Sequence, residues 1–175
     1  MKFDKIANSG NDEYYTPPYA IEPLLKYLPK NVTVWCPFDT ENSHFSKMIR
    51  EHDCNVIATH IDNGQDFFYY EPENYDYIIS NPPFSKKTAV FQKLFKLNKN
   101  FAMLISAVGL FESQVRFELF RDNDWDIMYM NRRIAFFKSY EDQTPSISPP
   151  FSSVYISKGI FPNKILFEEI NKKGK

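Results

Sequence analysis

Tyr75-Asp76-Tyr77-Ile78-Ile79-Ser80-Asn81-Pro82-Pro83-Phe84 is the stretch that decides the fold. Its first half is rich in aromatic and β-branched residues, as a strand requires. Its second half cannot continue that strand. Pro82 and Pro83 each hold φ at about −65° and remove a backbone donor, so the chain turns stiffly and offers carbonyl acceptors. Asn81 adds an amide oxygen, and Phe84 a π face on which a ring can stack. An exocyclic amine can give one hydrogen to the Asn81 side chain and the other to the Pro82 carbonyl. That pair of bonds bends the nitrogen toward tetrahedral geometry and frees its lone pair for attack. Read blandly, the same four residues are a rigid turn closing a strand, because short motifs recur by chance.

Helices and strands alternate outward from this corner. Upstream, Pro17, Pro18, Ile21, Leu24, Leu25 and Leu28 predict a helix opened by Pro18 or Pro23. A strand follows over 32–36. The next helix spans 43–52, with Phe45, Met48 and Ile49 on one face and Ser43 or Asn42 as cap. A second strand covers 55–59, and a short one 66–70. Downstream, Ser85 caps a helix to about 98, with Val90, Phe91, Leu94 and Phe95 inward. The run 101–106 is apolar throughout, as a strand covered on both faces is. A helix over 112–122, strands over 126–130, 133–137 and 152–157, and a closing helix over 163–171 complete the reading. The alternation implies an α/β chain with a mostly parallel sheet, and the late strands imply an antiparallel edge. Ligands of open α/β sheets sit outside the carboxyl ends of the strands. Pro37-Phe38-Asp39, His60-Ile61-Asp62, Asp66 and the proline corner should therefore share one rim.

A chain of 175 residues fits a single domain, with flexible ends expected at 1–11 and 172–175. A net charge of −1 leaves any nucleic-acid binding to a local patch. Cys36 and Cys54, the two cysteines, match no zinc spacing and make no disulfide framework. They point to a reducing, cytoplasmic setting, and no metal is expected. No leader-like or membrane-spanning apolar run is read, so the expectation is a soluble protein without a membrane partner.

The order of segments resembles the class I S-adenosylmethionine-dependent methyltransferases, and among them the small phage and bacterial adenine-specific (N6) DNA enzymes that carry Asn/Asp-Pro-Pro-aromatic. Tyr15-Thr16-Pro17 before a helix resembles their N-terminal cofactor motif. Trp35-Cys36-Pro37-Phe38-Asp39 stands where their first cofactor loop lies, and Gln65-Asp66-Phe67-Phe68 resembles the Asp-Phe that brackets the cofactor's adenine. Arg133-Ile134-Ala135-Phe136 and Pro149-Pro150-Phe151-Ser152-Ser153 resemble the closing segments. The likeness runs from about Asp12 to Ile160. It implies a Rossmann-like single domain with an antiparallel strand near the C-terminus. Two departures stand out. Thr40-Glu41-Asn42-Ser43 replaces the glycines of the first loop, leaving Asn42 to take any positive φ. His60 stands where an acid usually holds the ribose, with Asp62 close enough to substitute.

The resemblance implies methyl transfer to an exocyclic amine, foremost adenine N6 in DNA. Asn81, Pro82, Pro83 and Phe84 would grip the target. Tyr15, Thr16, Pro17, Pro37, Phe38, Asp39, His60, Asp62, Asp66 and Phe67 would line the S-adenosylmethionine side. Ser85, Lys86, Lys87 and Arg133 would meet nucleic acid, helped by Arg132 and the tail Lys172, Lys173 and Lys175. DNA is preferred to RNA as the partner, and a homodimer or a partner subunit fits so small a chain. The same corner serves enzymes acting on adenine or guanine in RNA, or on protein glutamine. A non-catalytic module that kept the fold and lost the cofactor is the further alternative.

Overall fold

The computed structural model describes residues 14–145 and 151–171. The expected flexible ends, Pro149, Pro150 and the tail lysines lie outside the described residues. A short 3-10 turn at Pro18–Ala20 leads into α1, Glu22–Leu25. The other elements are β1 (Thr33–Cys36), α2 (His44–Glu51), β2 (Asn55–Ala58), β3 (Tyr77–Ser80), α3 (Lys87–Leu97), β4 (Asn100–Ser106), α4 (Gln114–Asp122), β5 (Asp126–Met130), β6 (Ser153–Lys158) and β7 (Ile165–Glu168). The strands form one sheet in the order β2-β1-β3-β4-β6-β5-β7. β6 runs antiparallel to both neighbours, and every other pairing is parallel.

Two apolar layers clamp the sheet. Ala20, Ile21, Leu24, Phe45 and Ile49 from α1, α2 and the preceding turn bury against Val34, Cys36, Ile79, Ala102 and Leu104. Val90, Phe91, Leu94, Phe95 and Phe120 from α3 and α4 cover the opposite face, against Trp35, Ile78, Phe101, Met103 and Ile105. Successive residues of β4 alternate between the layers, which explains why its apolar run is unbroken. Ser43 caps α2 by accepting from Ser46 N–H at 3.1 Å.

Several elements differ from the reading of the chain. The span 66–70 is a turn, because the Asp66 carboxylate accepts from Phe68 N–H at 3.0 Å and its carbonyl from Tyr69 and Tyr70. The span 133–137 forms no strand; Phe137 alone makes a bridge, to Tyr15. The closing segment is the strand β7 rather than a helix, since Ile165, Leu166 and Phe167 add to the edge of β5. The antiparallel strand is therefore interior, and the edge beyond it is parallel. α3 begins at Lys87 after a 3-10 turn over Phe84–Lys86, without a side-chain cap from Ser85. Asn42 is not among the described residues with positive φ, so the first loop turns without the left-handed conformation.

Gly159 ends β6 with φ of 71°, and a Cβ there would run into the side-chain amide of Asn100. Gly159→Ala is expected to cost about 1–2 kcal/mol, read as a lower urea midpoint. An unchanged midpoint would contradict the strain assigned to this turn.

Candidate active site

The carboxyl ends of β1, β2 and β3 lie side by side, so Pro37-Phe38-Asp39, Thr59-His60 and Asn81-Pro82 share a rim. Ser80 ties two of these segments together. Its hydroxyl accepts from Phe38 N–H at 3.3 Å and donates to the buried Asp39 carboxylate. The loop after β1 is thus fixed to the residue preceding the elbow.

Asn81 is held by its nitrogen. Nδ2 donates to the Tyr14 carbonyl at 2.8 Å and to Thr16 Oγ1 at 3.2 Å. A carbonyl can only accept, so this contact sets which way the amide points. Oδ1 is buried and has no partner among the described residues. A buried acceptor without a donor is costly, at about 1–3 kcal/mol, and calls for an account. Pro82 is buried beside it, and the Pro83 carbonyl takes Lys86 N–H at 3.1 Å.

Phe84 sits in an aromatic cage. Tyr14 stacks on it at 5.9 Å between centroids and 18° between planes. Phe136 and Phe151 meet it edge-on at 5.9 and 5.5 Å. The face turned to Tyr14 is taken, so a planar ligand would use the other. Tyr14 meets the elbow, a contact without a reading in the sequence, whereas Tyr15 is expected on the cofactor side. Tyr15 instead packs on Phe137 and on Tyr140, the latter at 4.3 Å. Only the likeness of the closing segments hinted at Phe136 and Phe151; nothing local in the sequence singled out Tyr14 over its neighbour.

Asp39 is 8% exposed, and desolvation pushes its carboxyl up to about 6. Hydrogen bonds from Ser80 and Ser43 and the field of His60 oppose that rise without cancelling it. Its carboxylate is engaged by these hydroxyls rather than presented to the rim. Asp62 has the open carboxylate, with its side chain 76% exposed and an oxygen 3.2 Å from His60 Nδ1. Asp62 N–H also lies 3.3 Å from that nitrogen.

Phe67 packs against Phe38 at 4.9 Å and Trp35 at 5.4 Å. Lys93 pins this loop: Nζ donates to the Phe67 and Tyr70 carbonyls and sits 4.8 Å from the Phe67 ring centroid. Burial lowers its pKa. No sequence signal singles out Lys93 for this role, which needs the turn at 66–70 folded against α3. Asp66, engaged in its own turn, is not at a strand end. Thr16 and Pro17 are buried near Asn81. Lys86 and Arg133 are exposed, as is Ser85, while Lys87 donates to the Val108 carbonyl at 2.5 Å. The described residues contain no His/Cys/Asp/Glu group able to hold a metal ion. No helix among them is long and apolar enough to cross a membrane.

No protein-family model matches this chain, and no curated protein matches it.

Proposed function

We propose that this chain is an S-adenosylmethionine-dependent N-methyltransferase whose target is an exocyclic amine, foremost adenine N6 in DNA. One observation carries the reading: the buried Asn81 Oδ1 lacks a donor while its own amide nitrogen is clamped by Tyr14 and Thr16. A planar NH₂ supplies the donor that this oxygen lacks. The Pro82 carbonyl accepts the second hydrogen, and the two bonds together localise the nitrogen lone pair. No strong base is needed, because the nitrogen becomes acidic as its new bond forms. The Phe84 face not taken by Tyr14 would stack the base, and stacking is worth about 1–3 kcal/mol. That offsets the few kcal/mol needed to flip a base out of a duplex. The sheet, mostly parallel with its one reversed strand near the C-terminus, supports the reading without distinguishing it from other α/β proteins.

The donor set suits the cofactor. Asp62 would take its ribose hydroxyls, and Phe38 and Phe67 offer apolar surface to its adenine. When bound, the cofactor supplies an electrophilic methyl group. Asp39 acts indirectly, holding the first loop through Ser80 and Ser43.

The test incubates the purified chain with labelled cofactor and separate pools of DNA, RNA and protein. Label in the DNA pool is expected, and on adenine. Label in RNA or on protein glutamine would move the substrate to one of the alternatives, and none in any pool would overturn the reading.

The cover over the first loop favours a second reading, a non-catalytic module. Tyr140 approaches Ser43 and Asp39, and its ring lies over Tyr15. Calorimetric titration with S-adenosylmethionine separates the two, since absence of both heat and thermal stabilisation favours the module.

A further inference from the structure

We propose that Ser153 selects adenine over the other amine-bearing bases, its hydroxyl donating to N3 on the side of the ring opposite the amine held at Asn81. The inference rests on the methyl-transfer reading and names the substrate of that same site.

Ser153 opens β6 at the rim where β3 and β4 end, because β6 runs antiparallel to β4 and sets Ser153 opposite Ser106. Ile79 and Tyr155 bury in the layer that α1 and α2 form against the sheet. Side chains two positions apart on a strand share a face, so Asn81 and Ser153 both turn toward that layer. Ser153 is 2% exposed, and its Oγ has no hydrogen-bond partner among the described residues, as Asn81 Oδ1 has none. Ser106 across from it is engaged, its hydroxyl accepting from Val108 N–H at 3.2 Å. A buried hydroxyl without a partner is costly and calls for an account.

Place separates Ser153 from Ser157, whose Oγ is buried and unpartnered on the same face of β6. Ser157 stands opposite Ala102, four residues further from the rim. Ser153 instead shares the rim with Asn81, and aromatic surface joins the two. Phe151, two residues before Ser153, meets Phe84 at 5.5 Å, and Phe84 is the ring on which the base would stack.

By the spacings of a sheet, Asn81 and Ser153 stand about 12 Å apart between Cα atoms, two strands across and two residues along. Adenine suits that span. Its amine is on C6, and the ring atom opposite C6 is N3, which carries an acceptor lone pair. With a hydrogen bond at each end, the amine and N3 bridge about 10 Å between protein atoms. In cytosine the atom opposite the amine-bearing carbon is N1, which is bonded to the sugar and accepts nothing. In guanine that atom is carbon, and a glutamine amide is too short to reach. Asn81 and Pro82 grip any planar amine, so the distinction falls to Ser153.

The test uses the whole chain, labelled cofactor, and DNA and RNA oligonucleotides whose adenines are intact or replaced throughout by 1-, 3- or 7-deazaadenine. Ser153→Ala is expected to lower kcat/KM on adenine about 10- to 100-fold. Its Tm should stay level or rise, because the variant removes an unpartnered hydroxyl; a merely structural serine would lower it. On 3-deazaadenine the variant and the wild type should be equally slow, since the contact is already lost, while the penalty persists on the other two analogues. Ser157→Ala should keep the full rate. A Ser153→Ala variant as fast as wild type on adenine overturns the role of Ser153 and leaves methyl transfer standing. So does an undiminished penalty on 3-deazaadenine, or a lowered Tm with an equal loss on every base. A wild-type chain that labels no oligonucleotide overturns both.

Discussion

Replacing Asn81 by alanine is expected to lower methyl transfer by about 100- to 1000-fold, the usual loss when one preorganised polar group is removed from a reacting centre. The oxygen it removes is the buried Oδ1 that no described residue satisfies. Cofactor affinity should change much less than the rate, because Phe38, Asp62 and Phe67 lie on other segments and, of the residues assigned to the cofactor, Thr16 is the one that bonds Asn81 directly. Truncation also frees the Tyr14 carbonyl and Thr16 hydroxyl from Nδ2, so some loss of thermal stability accompanies it. The measurement pairs single-turnover rates on the labelled substrate with calorimetric titration of the cofactor. Rates and affinity falling in parallel would remove Asn81 from the chemistry and leave it a structural clamp.

Asp39→Asn is expected to stabilise the protein at neutral pH by about 2–3 kcal/mol, or roughly 5–10 °C in Tm. Burial raises the Asp39 carboxyl from its ordinary 3.8 to about 6. The folded state thus holds this proton more tightly than the unfolded chain does. Its stabilising effect is full below pH 4 and is lost as pH rises through about 6. Above that range the ionised group costs roughly 3 kcal/mol, at about 1.4 kcal/mol per pH unit. Asparagine carries no charge to desolvate and keeps an oxygen for Ser80. Urea unfolding at pH 5 and pH 8 should show the variant's advantage growing with pH. A variant less stable than wild type at pH 8 would mean that the hydroxyl bonds outweigh desolvation. A buried charge kept at such a cost is typical of functional clefts.

Much of the architecture was legible because its causes are local. Two prolines end β3 wherever the chain goes, Ser43 caps α2 through a bond three residues long, and the unbroken run of β4 has one low-energy home, between two layers. The rim followed from strand order, since parallel strands bring their carboxyl ends together. The candidate site was legible in part: the elbow and the loop after β1 were, whereas the choice of Tyr14 over Tyr15 and the pinning by Lys93 were not. Adjacent aromatics carry no local signal for which faces a distant turn. Lys93 reaches its carbonyls only once α3 lies against 66–70.

Composition and local pattern alone determined an α/β chain with a stiff proline corner at the end of β3. Tertiary structure decided the rest. Ile165-Leu166-Phe167 suits a helix or a strand equally by period, and the free edge of β5 made it β7. The direction of the Asn81 amide was likewise settled by residues more than sixty positions away, because an isolated side chain has no reason to prefer either orientation until a carbonyl claims its nitrogen.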